Sequence, residues 1–228
     1  MEAMELLATT DKPAPAGVWS PPGQRVARHG RASAPLTLLF DVLLARCRDL
    51  SLHGEMVAHY CGLTAGALGM PAATIERVRL AGALHDLGKV VVPRETLNKP
   101  GRLTTEEWVE IKRHPQVGAD LLAEAQLHDI ASWVAAHHER PDGLGYPLGL
   151  ADEAIPLEAK VLAVADAYDA MRAERAYKAA LSHERASTEL CLGAGTQFDV
   201  RVVHAFLDAV EDPDACAAVE ADAAPLAS

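Results

Sequence analysis

The chain has 228 residues, half of them hydrophobic, and a formal net charge of −11. That is enough apolar material for one packed domain without disulfides, and the acidic balance argues against a general nucleic-acid binder. No apolar run approaches the roughly 18 residues needed to span a bilayer, and the Met1-Glu2-Ala3-Met4-Glu5 start has no basic stretch for secretion. These features predict a soluble, cytoplasmic chain with no membrane or nucleic-acid partner.

In chain order, residues 1–35 carry Pro13, Pro15, Pro21, Pro22 and Pro35 among small residues and read as a disordered leader. Leu36, Leu38, Leu39, Phe40 and Val42 to Leu44 then predict a buried helix. Residues 51–69 place Leu52, Met56, Val57, Tyr60, Leu63 and Leu68 near a 3.6 period, and residues 73–87 form the next helical run. Val90-Val91-Val92-Pro93 reads as a short extended link. Thr104 with Glu107 is a capping box that opens a helix to about His114, and Pro115 opens the next. Further helices are predicted over 128–138, 157–172, 183–192 and 199–210. The expectation is an all-α fold, one helical-bundle domain over 36–211, with an Ala- and acid-rich tail over 212–228. Cys47, Cys61, Cys191 and Cys216 show no C-x-x-C spacing and read as buried or free thiols.

Chemistry concentrates in His85-Asp86, a pair of metal-ligating residues at the end of an apolar helical run. Neighbours on a helix point about 100° apart, so other residues must complete any shell. Of ten histidines, His53, His114, His137 and His138 stand at helix starts, ends and junctions. His29, His59, His128, His183 and His204 read as ordinary core or surface residues. Asp166 interrupts the apolar run Val161 to Ala165. A carboxylate there needs either a metal or a core-facing Lys or Arg. Imidazoles with carboxylates suit Fe, Mn or Zn, and such a site suggests metal-assisted hydrolysis.

Several stretches occur in a telling order: His53-Gly54-Glu55, Leu84 to Val90, Leu97 to Leu103, His114-Pro115 with Gly118, and His137-His138-Glu139-Arg140. They continue with Asp142-Gly143-Leu144-Gly145-Tyr146-Pro147, Ala165 to Met171, and Gly195 to Asp199. Together they resemble the HD-GYP family, a branch of the HD metal phosphohydrolases, from about Asp41 to Phe206. The resemblance implies an HD-type helical bundle that hydrolyses cyclic di-GMP to pGpG, GMP or both, through a hydroxide bridging two or three divalent ions, with Fe or Mn the expected metals. It implies that His53, His85, Asp86 and Asp166 hold one ion, that Asp86 bridges to a second held by His114 and His137, and that His138 completes the cluster. Asp49, one turn before His53, stands where some members carry Glu and would serve a third ion.

By the same resemblance Asp86 and Lys89 are the catalytic pair, Lys89 offsetting phosphoryl charge. Arg175 and Lys178 would grip the substrate phosphates, and Tyr146 would shape the pocket mouth. Lys89 could equally be a solvated helix-end lysine, Arg175 and Lys178 an exposed basic helix end, and the glycine-rich loop a plain turn. The chain departs from the family at Pro141 (usually aromatic), Lys160 (usually Arg), Ala176 (usually Pro) and Val200 (usually Pro). The implied partners are a cyclic dinucleotide substrate and a separate regulatory or diguanylate cyclase protein. Two other readings remain open: a phosphohydrolase for another nucleotide, and a dinucleotide-binding signalling module without turnover.

Overall fold

The computed structural model describes residues 48–174, 179–211 and 216. The leader, the predicted helix over 36–44, Cys47, Arg175, Ala176, Lys178 and all of the tail but Cys216 lie outside them. Among the described residues the fold is all-α, as the sequence predicts; an isolated bridge between Ala194 and Phe198 is the one strand-like pairing there.

Helix α1 (Arg48–Ala67) packs on α2 (Ala72–Leu84), and Val57, Cys61, Val78 and Leu84 are sealed between them and the rest of the core. Leu63, at core spacing in the sequence, is instead 37% exposed. The chain leaves α2 through His85 and Asp86 into a 3-10 helix, Leu87–Val91, where an extended link is expected. Only Val92 is extended. Three residues per turn set side chains i and i+3 in line, which brings Lys89 over Asp86. Short α3 (Arg94–Leu97) follows, then α4 (Thr105–Ile111), whose Thr104–Glu107 capping box is present in both directions.

Helix α5 (His114–Glu124) pairs with α6 (His128–Ala136), and α6 is tied to α2 by the Arg77–Asp129 ion pair. The 3-10 helix lies so close to α5 that a Cβ on Gly88 would overlap the His114 carbonyl oxygen and sit 2.6 Å from the Gly118 nitrogen. Gly88→Ala is therefore expected to destabilise the fold by about 3 kcal/mol and to displace His114 and Gly118, read as a lower midpoint in urea unfolding.

Helix α7 (Leu157–Arg172) runs through the centre of the core against α1, with α8 (His183–Gly193) and α9 (Val200–Ala209) closing the far side. Buried Lys160 donates to Asp152 at 2.7 Å and to Asp199 at 2.9 Å. Asp199 also caps α9 by accepting from the Arg201 and Val202 amides. Lys160 thus joins α7 to the start of α9, and Val200 serves as the first residue of that helix. Cys191 and Cys216 form a disulfide with their Cα atoms 5.1 Å apart, which corrects the reading of both as thiols. Their separation of 25 residues is closed only by the chain folding back on α8. Cys61 is a buried thiol, as expected.

Candidate metal centre

Three interruptions of helical structure aim side chains at one point. His53 comes from α1 and His85 from the residue capping α2, with Asp86 one step further. His114 opens α5, and His137 and His138 follow α6. Asp166 comes from the middle of α7. Helix ends suit this role because a side chain there can leave the direction imposed by the helix.

The histidines are locked in one tautomer. His85 Nδ1–H donates to the Gly82 carbonyl at 2.7 Å, His114 to Ile111 at 2.7 Å, and His137 to Val134 at 2.6 Å. Each therefore presents Nε2 with its lone pair free. These three Nε2 atoms, those of His53 and His138, and Asp166 Oδ1 are all buried with no hydrogen-bond partner. Six buried polar atoms without a hydrogen-bond partner in one place are costly. Divalent ions satisfy them, so the residues fit the metal that the sequence implies. Three overlapping sets of ligand atoms lie within 4.8 Å of one another: His114, His137 and His138; His53, His85 and Asp86; and His85, His137 and Asp166.

Among the described residues Asp166 pairs with neither Lys nor Arg. Its Oδ1 is 3.1 Å from His53 Nε2, out of hydrogen-bonding alignment, and 3.6 Å from His85 Nε2. Asp86 reaches both halves of the cluster, with Oδ2 3.9 Å from His53 and Oδ1 3.5 Å from His114. Lys89 is buried and donates to Asp86 at 2.7 Å, so it is no solvated helix-end lysine.

Burial acts to raise the Asp86 carboxyl, but the charges of Lys89 and the surrounding imidazoles outweigh it and hold it well below the usual range. The same contest, with His53 and His85 as the opposing partners, depresses Asp166. Burial lowers His114 to about 3 and His137 to about 4, and takes His138 well below its ordinary value. His53 goes the other way. Burial acts to lower it, but contact with Asp166 and Asp169 and their negative charge carry it up to about 10.

The sequence reading missed Asp169, whose Oδ2 accepts from His53 Nδ1 at 2.6 Å. Its position three residues after Asp166 on a helix was the available signal. It also missed Glu139, a buried carboxylate that accepts from the Leu148 amide at 2.6 Å and the Leu150 amide at 2.9 Å. Glu139 thereby pins the loop carrying Tyr146. That ring stacks on His138 at 4.8 Å, and burial with the nearby Asp166 and Asp86 charges pushes its phenol up. Pro141, in place of an aromatic residue, accepts from the Asp152 amide through its carbonyl. The backbone of Asp49 lies in α1, while Arg175 and Lys178 are outside the described residues.

A family model described as an HD domain matches residues 37–202. A cyclic di-GMP phosphodiesterase response regulator, RpfG of Xanthomonas campestris, is 44% identical over 156 residues, covering 67% of this chain and 41% of the relative. A 3'3'-cGAMP-specific phosphodiesterase of Vibrio cholerae is 35% identical, covering 75% of this chain and 33% of the relative. The chain thus spans about a third to two fifths of the length of these relatives. Among solved structures, the HD-GYP-type protein Bd1817 of Bdellovibrio bacteriovorus superposes with a TM-score of 0.60 at 21% identity, covering 71% of this chain and 52% of that one. No described helix is long and apolar enough to cross a membrane. With the family model matched over most of this chain and the His and Asp residues of the characteristic stretches gathered at one buried point, the chain belongs to the HD domain family, in its HD-GYP branch.

Proposed function

We propose that the chain, as a single catalytic domain over residues 36–211, hydrolyses cyclic di-GMP to pGpG, GMP or both with two or three bound divalent ions, Fe or Mn. The observation that carries this reading is the convergence of five imidazole Nε2 atoms and Asp166 Oδ1, all buried and unpartnered, beside Asp86. His53, His85, Asp86, Asp166, His114, His137 and His138 would hold the ions, with Asp49 available to a third. When bound, the ions would supply Lewis acidity and lower the pKa of water.

The chain's own groups do the rest. Lys89 holds Asp86 in place and brings one positive charge toward the phosphoryl oxygens. The Tyr146 phenol, its pKa raised, stays protonated at neutral pH and can donate a hydrogen bond at the mouth. Arg175 and Lys178 would hold phosphate. A further cation sits at this rim: the Lys112 ammonium is 5.3 Å from the Tyr146 ring centroid and 6.0 Å from that of Trp108. Held over aromatic faces, it is placed to attract an anionic substrate. Lys112→Met is expected to raise KM about fivefold with little change in kcat, measured by steady-state kinetics at two ionic strengths.

The test is product formation from cyclic di-GMP by protein loaded anaerobically with Fe or Mn. Hydrolysis to a linear product supports the reading. No turnover with two or more ions bound per chain overturns it. The relative specific for 3'3'-cGAMP favours a second reading, in which the substrate is a cyclic dinucleotide containing adenine; a panel of cyclic dinucleotides under the same conditions separates the two.

A further inference from the structure

The metal-facing imidazoles are not held alike. His85, His114 and His137 each donate Nδ1–H to the backbone carbonyl three residues earlier. His53 lies within α1, and its Nδ1 meets a carboxylate from a different helix, Asp169 Oδ2, at 2.6 Å. Asp169 is a buried acid on α7, one turn beyond Asp166. A neutral carbonyl orients an imidazole. An anionic acceptor also pushes electron density through the ring to the opposite nitrogen and makes it a stronger ligand.

We infer that Asp169 is a positioning residue that selectively strengthens the ion held by His53, so that the two ends of the centre bind metal unequally. The ligand sets point the same way. The His53 end includes Asp86 and has Asp166 and Asp169 beside it, whereas the other end gathers the nitrogens of His114, His137 and His138 with one Asp86 oxygen, Oδ1, 3.5 Å from His114. Asp169 touches His53 and would meet the ion only through it. The inference rests on the metal-binding reading but not on the identity of the substrate.

The experiment is an anaerobic Co2+ titration of the full chain, followed by visible absorption and by bound metal after dialysis, for wild type, Asp169→Asn and Asp169→Ala. The Asn variant offers His53 a neutral carbonyl like those behind the other three rings, while Ala removes the acceptor. We expect one Co2+ per chain to weaken about tenfold in Asn and about a hundredfold in Ala, with the remaining affinity unchanged and the circular dichroism of wild type retained. Wild-type titrations from both variants would overturn the inference. Asn like wild type with Ala weakened would overturn the charge effect and leave Asp169 an orienting acceptor only. Equal weakening of every Co2+ would indicate a general structural role and overturn it as well. Wild-type protein that binds no Co2+ overturns the metal reading and this inference together, whereas a failure on cyclic dinucleotides alone touches only the substrate.

Discussion

Asp86→Ala is expected to lower hydrolysis about a thousandfold or more and to leave the purified chain with at least one fewer ion by elemental analysis. Among the described residues Asp86 is the one carboxylate whose two oxygens face opposite halves of the cluster, Oδ2 toward His53 and Oδ1 toward His114. Removing it separates those halves. It also strips Lys89 of the one counter-charge it meets among the described residues, leaving a buried ammonium. Breaking a buried pair from one side costs about 3–5 kcal/mol, so part of the loss in the alanine variant would come from unfolding. Asp86→Asn keeps the volume and a polar contact for Lys89, and is expected to lose activity while melting closer to wild type. An Asn variant with near-normal turnover would remove Asp86 from the chemistry.

Metal removal is expected to change how stability depends on pH as well as its size. In the metal-free chain His114 and His137, lowered to about 3 and about 4, stay neutral in the folded state, while the unfolded chain takes up protons near 6.5. Their contribution is complete above pH 6.5 and is lost as pH falls toward 4, by roughly 3 kcal/mol for a group such as His137. His53, raised to about 10, has the opposite sign: its contribution is complete below pH 6.5 and is lost as pH rises through 10. The metal-free chain should therefore be most stable near pH 6.5 and weaken on both sides. Bound ions need His53 unprotonated, so loading at pH 7 should release about one proton per chain from this residue. Loading should also abolish the alkaline decline and add about 4 kcal/mol at a thousandfold excess over Kd. Urea unfolding from pH 5 to 9, with chelator and with Mn2+, checks the profile. Titration calorimetry in two buffers of different ionisation enthalpy counts the proton. A metal-free profile flat over that range would contradict this account.

Much of the candidate site was legible because its residues break helical patterns. Asp166 stood out inside an apolar run, and helix α7 was expected over the residues it occupies. The Thr104–Glu107 capping box is local chemistry and needs no tertiary contact to be recognised. Val90 to Val92 misled because three β-branched residues read as extended, whereas tertiary packing of Gly88 on α5 holds the 3-10 turn. Asp169 was missed for another reason, although its spacing of three from Asp166 was there to be read. An acid near the end of a helix looks like a solvated polar face until α1 is laid across it. The Cys191–Cys216 link likewise depends on the chain returning to α8, which no spacing rule encodes.

The tie between Glu139 and the Tyr146 loop has a thermodynamic consequence. Glu139 anchors the loop through two amides, and the Tyr146 amide donates to the His138 carbonyl, so the loop hangs on the two residues that include a candidate ligand. Displacing the loop strains the backbone that aims His138. With an ion bound at His138, the rim and the cluster would be linked functions of one equilibrium: whatever loosened the loop would lower affinity for that ion, and a filled centre would by the same factor favour the loop conformation that shapes the mouth.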